Sequence, residues 1–153
     1  MTIKKIVFLA LAVILVGMAQ PSAAQNQQKP FTGAEASLDH YKALYMLNSS
    51  DEKKISGTLR NIKNALNDPR LKGKVEIELI VFGDGVGVYA KEGPYEEKLK
   101  ELQNMGVLLA QCENTLRERK IDKSSLFSFI SFVPSAAGEI IIRQQQGWAV
   151  VHP

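Results

Sequence analysis

The chain of 153 residues contains one cysteine, Cys112, and this is the residue best suited to nucleophilic chemistry. It follows the apolar residues 107–110 and precedes the polar residues 114–120, so we expect a strand to end and a helix to begin around it. The positive end of a helix dipole favours the thiolate, the reactive form of cysteine. The position therefore predicts a reactive sulfur at the edge of a parallel sheet where ligands bind.

Other interpretations of Cys112 remain open. A free cysteine is often a small buried apolar residue, and the carboxylate of Glu113 next door would oppose thiolate formation. Arg117, one helical turn further on, could offset that charge. The chain has no second cysteine to act as a resolving thiol, and its histidines, His40 and His152, are far apart. We therefore expect no metal site and no bound cofactor.

A glycine-rich segment, residues 83–87, follows the second apolar run and offers a second candidate site. Backbone N–H groups in such a segment can form an anion nest, which makes Gly83, Asp84 and Gly85, with Asn114, candidate ligand-binding residues. The spacing does not fit the dinucleotide fingerprint, and no P-loop lysine follows. A tight strand-to-helix turn is the favoured interpretation, with Asp84 facing the Cys112 edge because both follow strand ends.

The remaining elements alternate along the chain. Ser49 and Glu52 form a predicted capping box, followed by a helix that Asp68 and Pro69 end. Glu76 and Glu78 alternate with apolar residues, which predicts a half-exposed start to the second strand. Strands are predicted at residues 41–47, 75–82, 107–110, 129–133 and 148–151, with helices at 95–105, 114–120 and 136–146. This alternation predicts an α/β fold: a three-layer α/β/α sandwich around a five-stranded parallel sheet.

The amino terminus has the pattern of a secretory signal peptide. Lys4 and Lys5 precede an apolar stretch, residues 6–19, and small residues follow at 22–24. The apolar stretch is shorter than the ~20 residues that a transmembrane helix needs, so an uncleaved anchor is the less favoured alternative. We expect a signal peptide at residues 1–24, a flexible linker at 25–38 and one domain at 39–153. The protein would then be periplasmic or secreted, with no membrane attachment after cleavage.

Cleavage also changes the charge of the chain. The full sequence has a formal net charge of +3, and removal of Lys4 and Lys5 lowers it to +1. A nearly neutral mature chain gives no electrostatic basis for binding nucleic acid.

The segment from Gly106 to Leu116, which contains Cys112, Asn114 and Thr115, resembles the DsrE/DsrF-like family. Val133-Pro134, Glu139 and the segment Gln145-Gln146-Gly147-Trp148 extend the resemblance, as do the glycine turn and residues 60–64. The resemblance implies a five-stranded parallel fold, assembly as trimers or hexamers, and sulfur relay through a persulfide on the residue that Cys112 matches. Phe82 is a departure, because many relatives have histidine there, and this puts an acid–base role at that position in doubt.

Two functional hypotheses follow. In the first, the protein is a periplasmic sulfur carrier or sulfurtransferase-like protein that holds sulfane sulfur on Cys112 and exchanges it with a donor or acceptor protein. In the alternative, it is a non-catalytic oligomeric protein that binds a small ligand or partner, and Cys112 is structural.

Overall fold

The computed structural model describes residues 30–153. The predicted signal peptide and the first part of the predicted linker lie outside them. A compact unit extends from Ala34 to Pro153, and the Arg70 guanidinium donates a hydrogen bond of 3.2 Å to the carbonyl of Ala34 at its start. Within residues 30–153, no helix has the length and apolar character needed to span a membrane.

Five parallel strands form one sheet with the order β4-β3-β2-β1-β5. The strands are β1 (Tyr41–Leu47), β2 (Val75–Val81), β3 (Leu108–Cys112), β4 (Ser131–Val133) and β5 (Ala149–Val151). The helices are α1 (Glu52–Asn67), α2 (Glu96–Asn104), α3 (Glu113–Arg119) and α4 (Ala136–Gln145), with short 3₁₀ helices at Gly83–Tyr89 and Lys123–Ser125. The predicted three-layer α/β/α fold is confirmed.

The strand order places the helices on the two faces of the sheet unequally. The first three connections move along the sheet in one direction, and the connection from β4 to β5 returns in the other. Because parallel crossovers are right-handed, α1, α2 and α3 cover one face and α4 alone covers the other. The larger apolar cluster accordingly contains Leu59, Leu99 and Leu116 from the first three helices, and the smaller cluster contains Ala136 from α4.

Helix α1 begins at a different cap from the predicted one. The Asp51 side chain accepts a hydrogen bond of 2.8 Å from the backbone N–H of Lys54, so Asp51 is the N-cap. Ser49 instead accepts a hydrogen bond from the Asp51 N–H through its hydroxyl. The capping box at Ser49 and Glu52 was therefore wrong, because Asp51 has the same capping chemistry and lies next to the first helical residue.

Glu78 on β2 is buried, which corrects the expectation of a half-exposed strand start. Its side chain is 2% exposed, and its carboxylate lies 2.7 Å from the Arg143 guanidinium on α4, which also contacts Glu139 at 2.8 Å. Neither carboxylate oxygen of Glu78 has a well-aligned hydrogen bond within the described residues. Burial, partly offset by the charge of Arg143, therefore raises the pKa of Glu78. The alternation of glutamate with apolar residues did not predict the burial of Glu78, because it does not show that α4 covers this face of β2.

Candidate functional site

Cys112 is the last residue of β3 and the N-cap of α3. It lies beside Val133, the last residue of β4. The chain leaves β3 toward the face covered by α3 and leaves β4 toward the face covered by α4, so a crevice opens between the two strand ends. The predicted junction of strand and helix at the thiol is confirmed, and the topology places it at the switch point of the sheet.

The sulfur of Cys112 lies among backbone N–H groups of two helices. The N–H of Ala136, the first residue of α4, donates a hydrogen bond of 3.3 Å to Sγ. Burial opposes ionisation of the thiol most strongly, but the hydrogen-bond donors around the sulfur, namely the backbone N–H groups of Thr115, Ala136 and Asn114 and the Thr115 hydroxyl, together outweigh it. The pKa of Cys112 is therefore lowered.

Thr115 connects the cysteine with the glycine turn. Its hydroxyl oxygen accepts a hydrogen bond of 2.9 Å from the backbone N–H of Gly83, which leaves its own proton to be donated to the sulfur. Thr115 is 5% exposed, so water competes little for these bonds. The turn after β2 thus holds the hydroxyl that helps to stabilise the thiolate form of Cys112.

A pocket of about 380 Å³ lies over the sulfur. Cys112 is 4% exposed and belongs to the apolar cluster under α4, yet it lines this pocket. The apolar part of the wall consists of Met46, Phe82, Ala136, Ala137 and Ile140, and the polar part includes Asn114, Thr115, Glu118 and Ser135. A buried sulfur is therefore adjacent to a space that can hold a small molecule.

The structure brings some of the predicted ligand-binding residues together around the pocket and places others elsewhere. Gly83 and Asn114 line the pocket. Asp84 is not among the lining residues, and its carboxylate forms an ion pair with Arg119. Gly85 packs against the end of β1, where an added Cβ would lie 2.5 Å from the carbonyl oxygen of Leu47. Gly85 is thus required for close packing of the turn.

The backbone N–H groups of the glycine turn are largely engaged. Gly83 donates to Thr115, and Gly85 donates a hydrogen bond of 3.1 Å to the carbonyl of Phe82 in the 3₁₀ helix. Such internal bonds favour the tight turn over an anion nest.

The charge of Glu113 is balanced differently from the expectation. Its carboxylate forms an ion pair with Lys123, while the Arg117 guanidinium donates a hydrogen bond to the side-chain oxygen of Asn114. Arg117 is therefore not the partner of Glu113. Lys123 lies in the segment after α3. Its distance from Glu113 depends on the turn between them, which residue spacing within one helix does not predict.

Three residues that contact the sulfur or position a group beside it were not predicted as site residues from the sequence: Thr115, Ser135 and Ala136. Ser135 caps α4 by accepting a hydrogen bond from the N–H of Gly138, which holds the first N–H of the helix beside Cys112. A serine placed directly before the α4 helical pattern was the available signal for this cap.

Among residues 30–153, no group of three or more His, Cys, Asp or Glu side chains could hold a metal ion.

The model of the DsrE/DsrF-like family matches residues 12–153 of the chain. The chain belongs to the DsrE/DsrF-like family. The match includes β1 through β5 and therefore every residue that lines the pocket. No curated protein matches the chain significantly.

Solved structures with the same fold extend the comparison. A protein of unknown function from Methanobacterium thermoautotrophicum, MTH1491, is 30% identical with a TM-score of 0.69, over 74% of this chain and 99% of its own. BT1422 of Bacteroides thetaiotaomicron is 14% identical with a TM-score of 0.61, over 79% of this chain and 100% of its own. The ychN protein of E. coli is 13% identical with a TM-score of 0.54, over 76% and 100%. The last two similarities concern the fold alone.

Proposed function

We propose that this DsrE-like protein is a sulfur carrier or sulfurtransferase-like protein that holds sulfane sulfur as a persulfide on Cys112. The observation that carries the proposal is the sulfur itself: it lines a pocket, the N–H of Ala136 donates a hydrogen bond to it, and the surrounding donors lower its pKa. A thiolate at the wall of a pocket is what persulfide formation requires. The family's association with sulfur relay agrees with this chemistry.

The reaction needs no external oxidant or reductant. The Cys112 thiolate attacks the sulfane sulfur of a donor R–S–SH, a new S–S bond forms, and the old S–S bond breaks. R–S⁻ leaves with the bonding electron pair, and Cys112 carries –S–SH. An acceptor thiolate then attacks the outer sulfur, takes it with its proton, and restores the Cys112 thiolate.

The test is the intact mass of the protein after incubation with inorganic polysulfide. The expected product has gained one sulfur atom, which a reductant removes, and Cys112→Ser gains nothing because the chain has no other thiol. A wild-type protein whose mass is unchanged by polysulfide would overturn the proposal.

The burial of Cys112 supports a second candidate function. The residue is 4% exposed and packs with Leu44, Ile80 and Ala110, which is how a structural cysteine would lie in a protein that only binds a small ligand or a partner. Thiol labelling separates the two candidates. If native Cys112 resists a reagent that labels the denatured protein, the non-catalytic function is favoured.

We further propose that the protein is exported to the periplasm or secreted and that it forms a homo-oligomer, a trimer or a hexamer. The residues at 1–24 support export, because they have the order of charged, apolar and small residues of a signal peptide. The exposed apolar residues Leu108, Ile141, Ile142 and Val150 support self-association.

A further inference from the structure

The charge of the pocket wall restricts which sulfur donor can reach Cys112. Among residues 30–153, Glu118 is the only charged residue that lines the pocket, and the lining contains no lysine or arginine. The cationic side chains near this edge have other partners: Arg119 pairs with Asp84, Lys123 pairs with Glu113, and the Arg117 guanidinium donates to the side-chain oxygen of Asn114. Within the part of the chain that the structure describes, an anion that enters the pocket therefore meets the Glu118 carboxylate and no lysine or arginine in the lining that would compensate it.

The apolar part of the wall has the opposite preference. Met46, Phe82 and Ile140 are partly buried residues whose exposed surface lines the pocket. An apolar group that contacts this surface removes both surfaces from water, which favours binding. A donor that carries an apolar group next to its sulfane sulfur matches the wall, whereas a small, strongly hydrated dianion loses water and gains no cationic side chain from the described lining residues.

We propose that the pocket selects organic sulfane-sulfur donors, which carry an apolar group and at most one negative charge, over inorganic thiosulfate. This inference rests on the proposed function of Cys112 as a sulfur acceptor. Glu118 is the residue that discriminates against the more highly charged donor. The apolar part of the wall, which includes Phe82, binds the apolar group.

Two donors that differ at one position allow a direct test. Benzenethiosulfonate is thiosulfate in which a phenyl group replaces one charged oxygen, so it has one negative charge fewer and an apolar group more. In both reactions the Cys112 thiolate attacks the terminal sulfur and the S–S bond of the donor breaks. Benzenesulfinate leaves with the electron pair in one case and sulfite in the other, and Cys112 retains the added sulfur in both.

The experiment measures the rate at which Cys112 gains one sulfur atom from each donor, by intact mass. The same two rates for free N-acetylcysteine give the intrinsic reactivity of the donors. The expected ratio of benzenethiosulfonate to thiosulfate rates is about tenfold larger for the protein than for the free thiol. Equal ratios would overturn the inference, because the pocket would then add no selection.

The role of Glu118 is tested by Glu118→Gln, which removes the charge and keeps the shape. Since the Coulomb energy scales with the charge of the donor, the logarithm of the rate should rise about twice as much for dianionic thiosulfate as for monoanionic benzenethiosulfonate. Glu97→Gln is the matched control, because Glu97 is an exposed glutamate on α2 that does not line the pocket. Equal effects of the two substitutions would contradict the assignment to Glu118.

The outcomes also distinguish this inference from the proposed function. If neither of these donors nor inorganic polysulfide adds sulfur to Cys112, the carrier function itself fails. If sulfur is added but thiosulfate is used at least as well as its phenyl analogue after correction for intrinsic reactivity, the carrier function stands and the selection is wrong.

Discussion

The effect of the Thr115 hydroxyl on the pKa of Cys112 can be measured separately from its effect on stability. The hydroxyl accepts the N–H of Gly83 and lies among the groups that lower the pKa of the thiol. Thr115→Val removes a hydroxyl that helps to lower the pKa of Cys112, so this pKa should rise and the midpoint of alkylation by iodoacetamide should move to higher pH. The measurement is the alkylation rate as a function of pH.

The control is Thr115→Ser, which keeps the hydroxyl and should restore the wild-type pH profile. Thr115→Val also leaves the Gly83 N–H without its acceptor, which costs about 1–3 kcal/mol when the group is buried. A purely structural role would lower the melting temperature of the valine variant without changing the pH profile. An unchanged profile would therefore contradict the assigned role.

The neighbourhood of Cys112 could be predicted only in part from the sequence. The junction of strand and helix follows from local pattern, since an apolar run ends where a polar run begins. The N–H of Ala136 comes from a residue far along the chain, and it reaches Sγ only because Cys112 pairs with Val133 across β3 and β4. The partners of Asp84 and Arg117 were unpredictable for another reason: exposed ion pairs depend on side-chain rotamers, and their energies are small.

At the scale of elements, α4 is held at both ends by side chains of the sheet. Its first N–H contacts Cys112, and Arg143 near its last turn contacts Glu78 on β2. The sequence predicted α4 correctly in spite of its three consecutive isoleucines, because Glu139, Arg143 and the glutamines before Gly147 favour a helix. It could not predict that the helix would bury Glu78, which depends on the direction of the last crossover.

Burial of Glu78 predicts a specific dependence of stability on pH. Its pKa is raised in the folded protein, so the folded state binds more protons than the unfolded state between the ordinary and the raised value. The free energy of unfolding should therefore fall as the pH rises through that interval. Glu78→Gln removes the ionisation while Arg143 keeps its contact with Glu139. Thermal melts across this interval should show a smaller decrease for the variant.

Glu97→Gln is the control, because Glu97 is an exposed glutamate on α2, which packs on the opposite face of the sheet from Glu78. It should leave the pH dependence close to that of the wild type. If wild type and Glu78→Gln lose stability in parallel as the pH rises, Glu78 does not titrate as described.

At the scale of the whole molecule, the face of the sheet covered only by α4 leaves apolar surface exposed. Ile141 and Ile142 on α4 are 62% and 53% exposed, and Leu108 on β3 is 44% exposed. A second copy of the chain that covers this surface would remove it from water. Replacement of both isoleucines by glutamate should dissociate the proposed homo-oligomer, because charged residues are disfavoured in an apolar interface.

Light scattering at micromolar concentration provides the measurement. The wild type should have the mass of a trimer or a multiple of it, and the double variant that of a monomer. Gln145→Glu, an exposed change on the same helix, should keep the assembly. A monomeric wild type would contradict the predicted oligomer.

Export is the second prediction at this scale. Cleavage after Ala24 should leave Gln25 as the first residue of the mature protein, because the small residues at positions 22 and 24 suit a signal peptidase. Amino-terminal sequencing of the protein from the periplasm of a bacterial host provides the measurement. Recovery of Met1 would show that the segment is retained.

In the proposed carrier function, the single cysteine of the chain also determines the order of events. A carrier with one thiol cannot receive sulfur and pass it on at the same moment, so loading and discharge must be separate half-reactions through the same sulfur atom. Initial rates with a varied donor and acceptor should then give parallel double-reciprocal lines, the signature of double-displacement kinetics. Because both reactants must approach the same sulfur, an excess of acceptor should inhibit by occupying the unloaded protein.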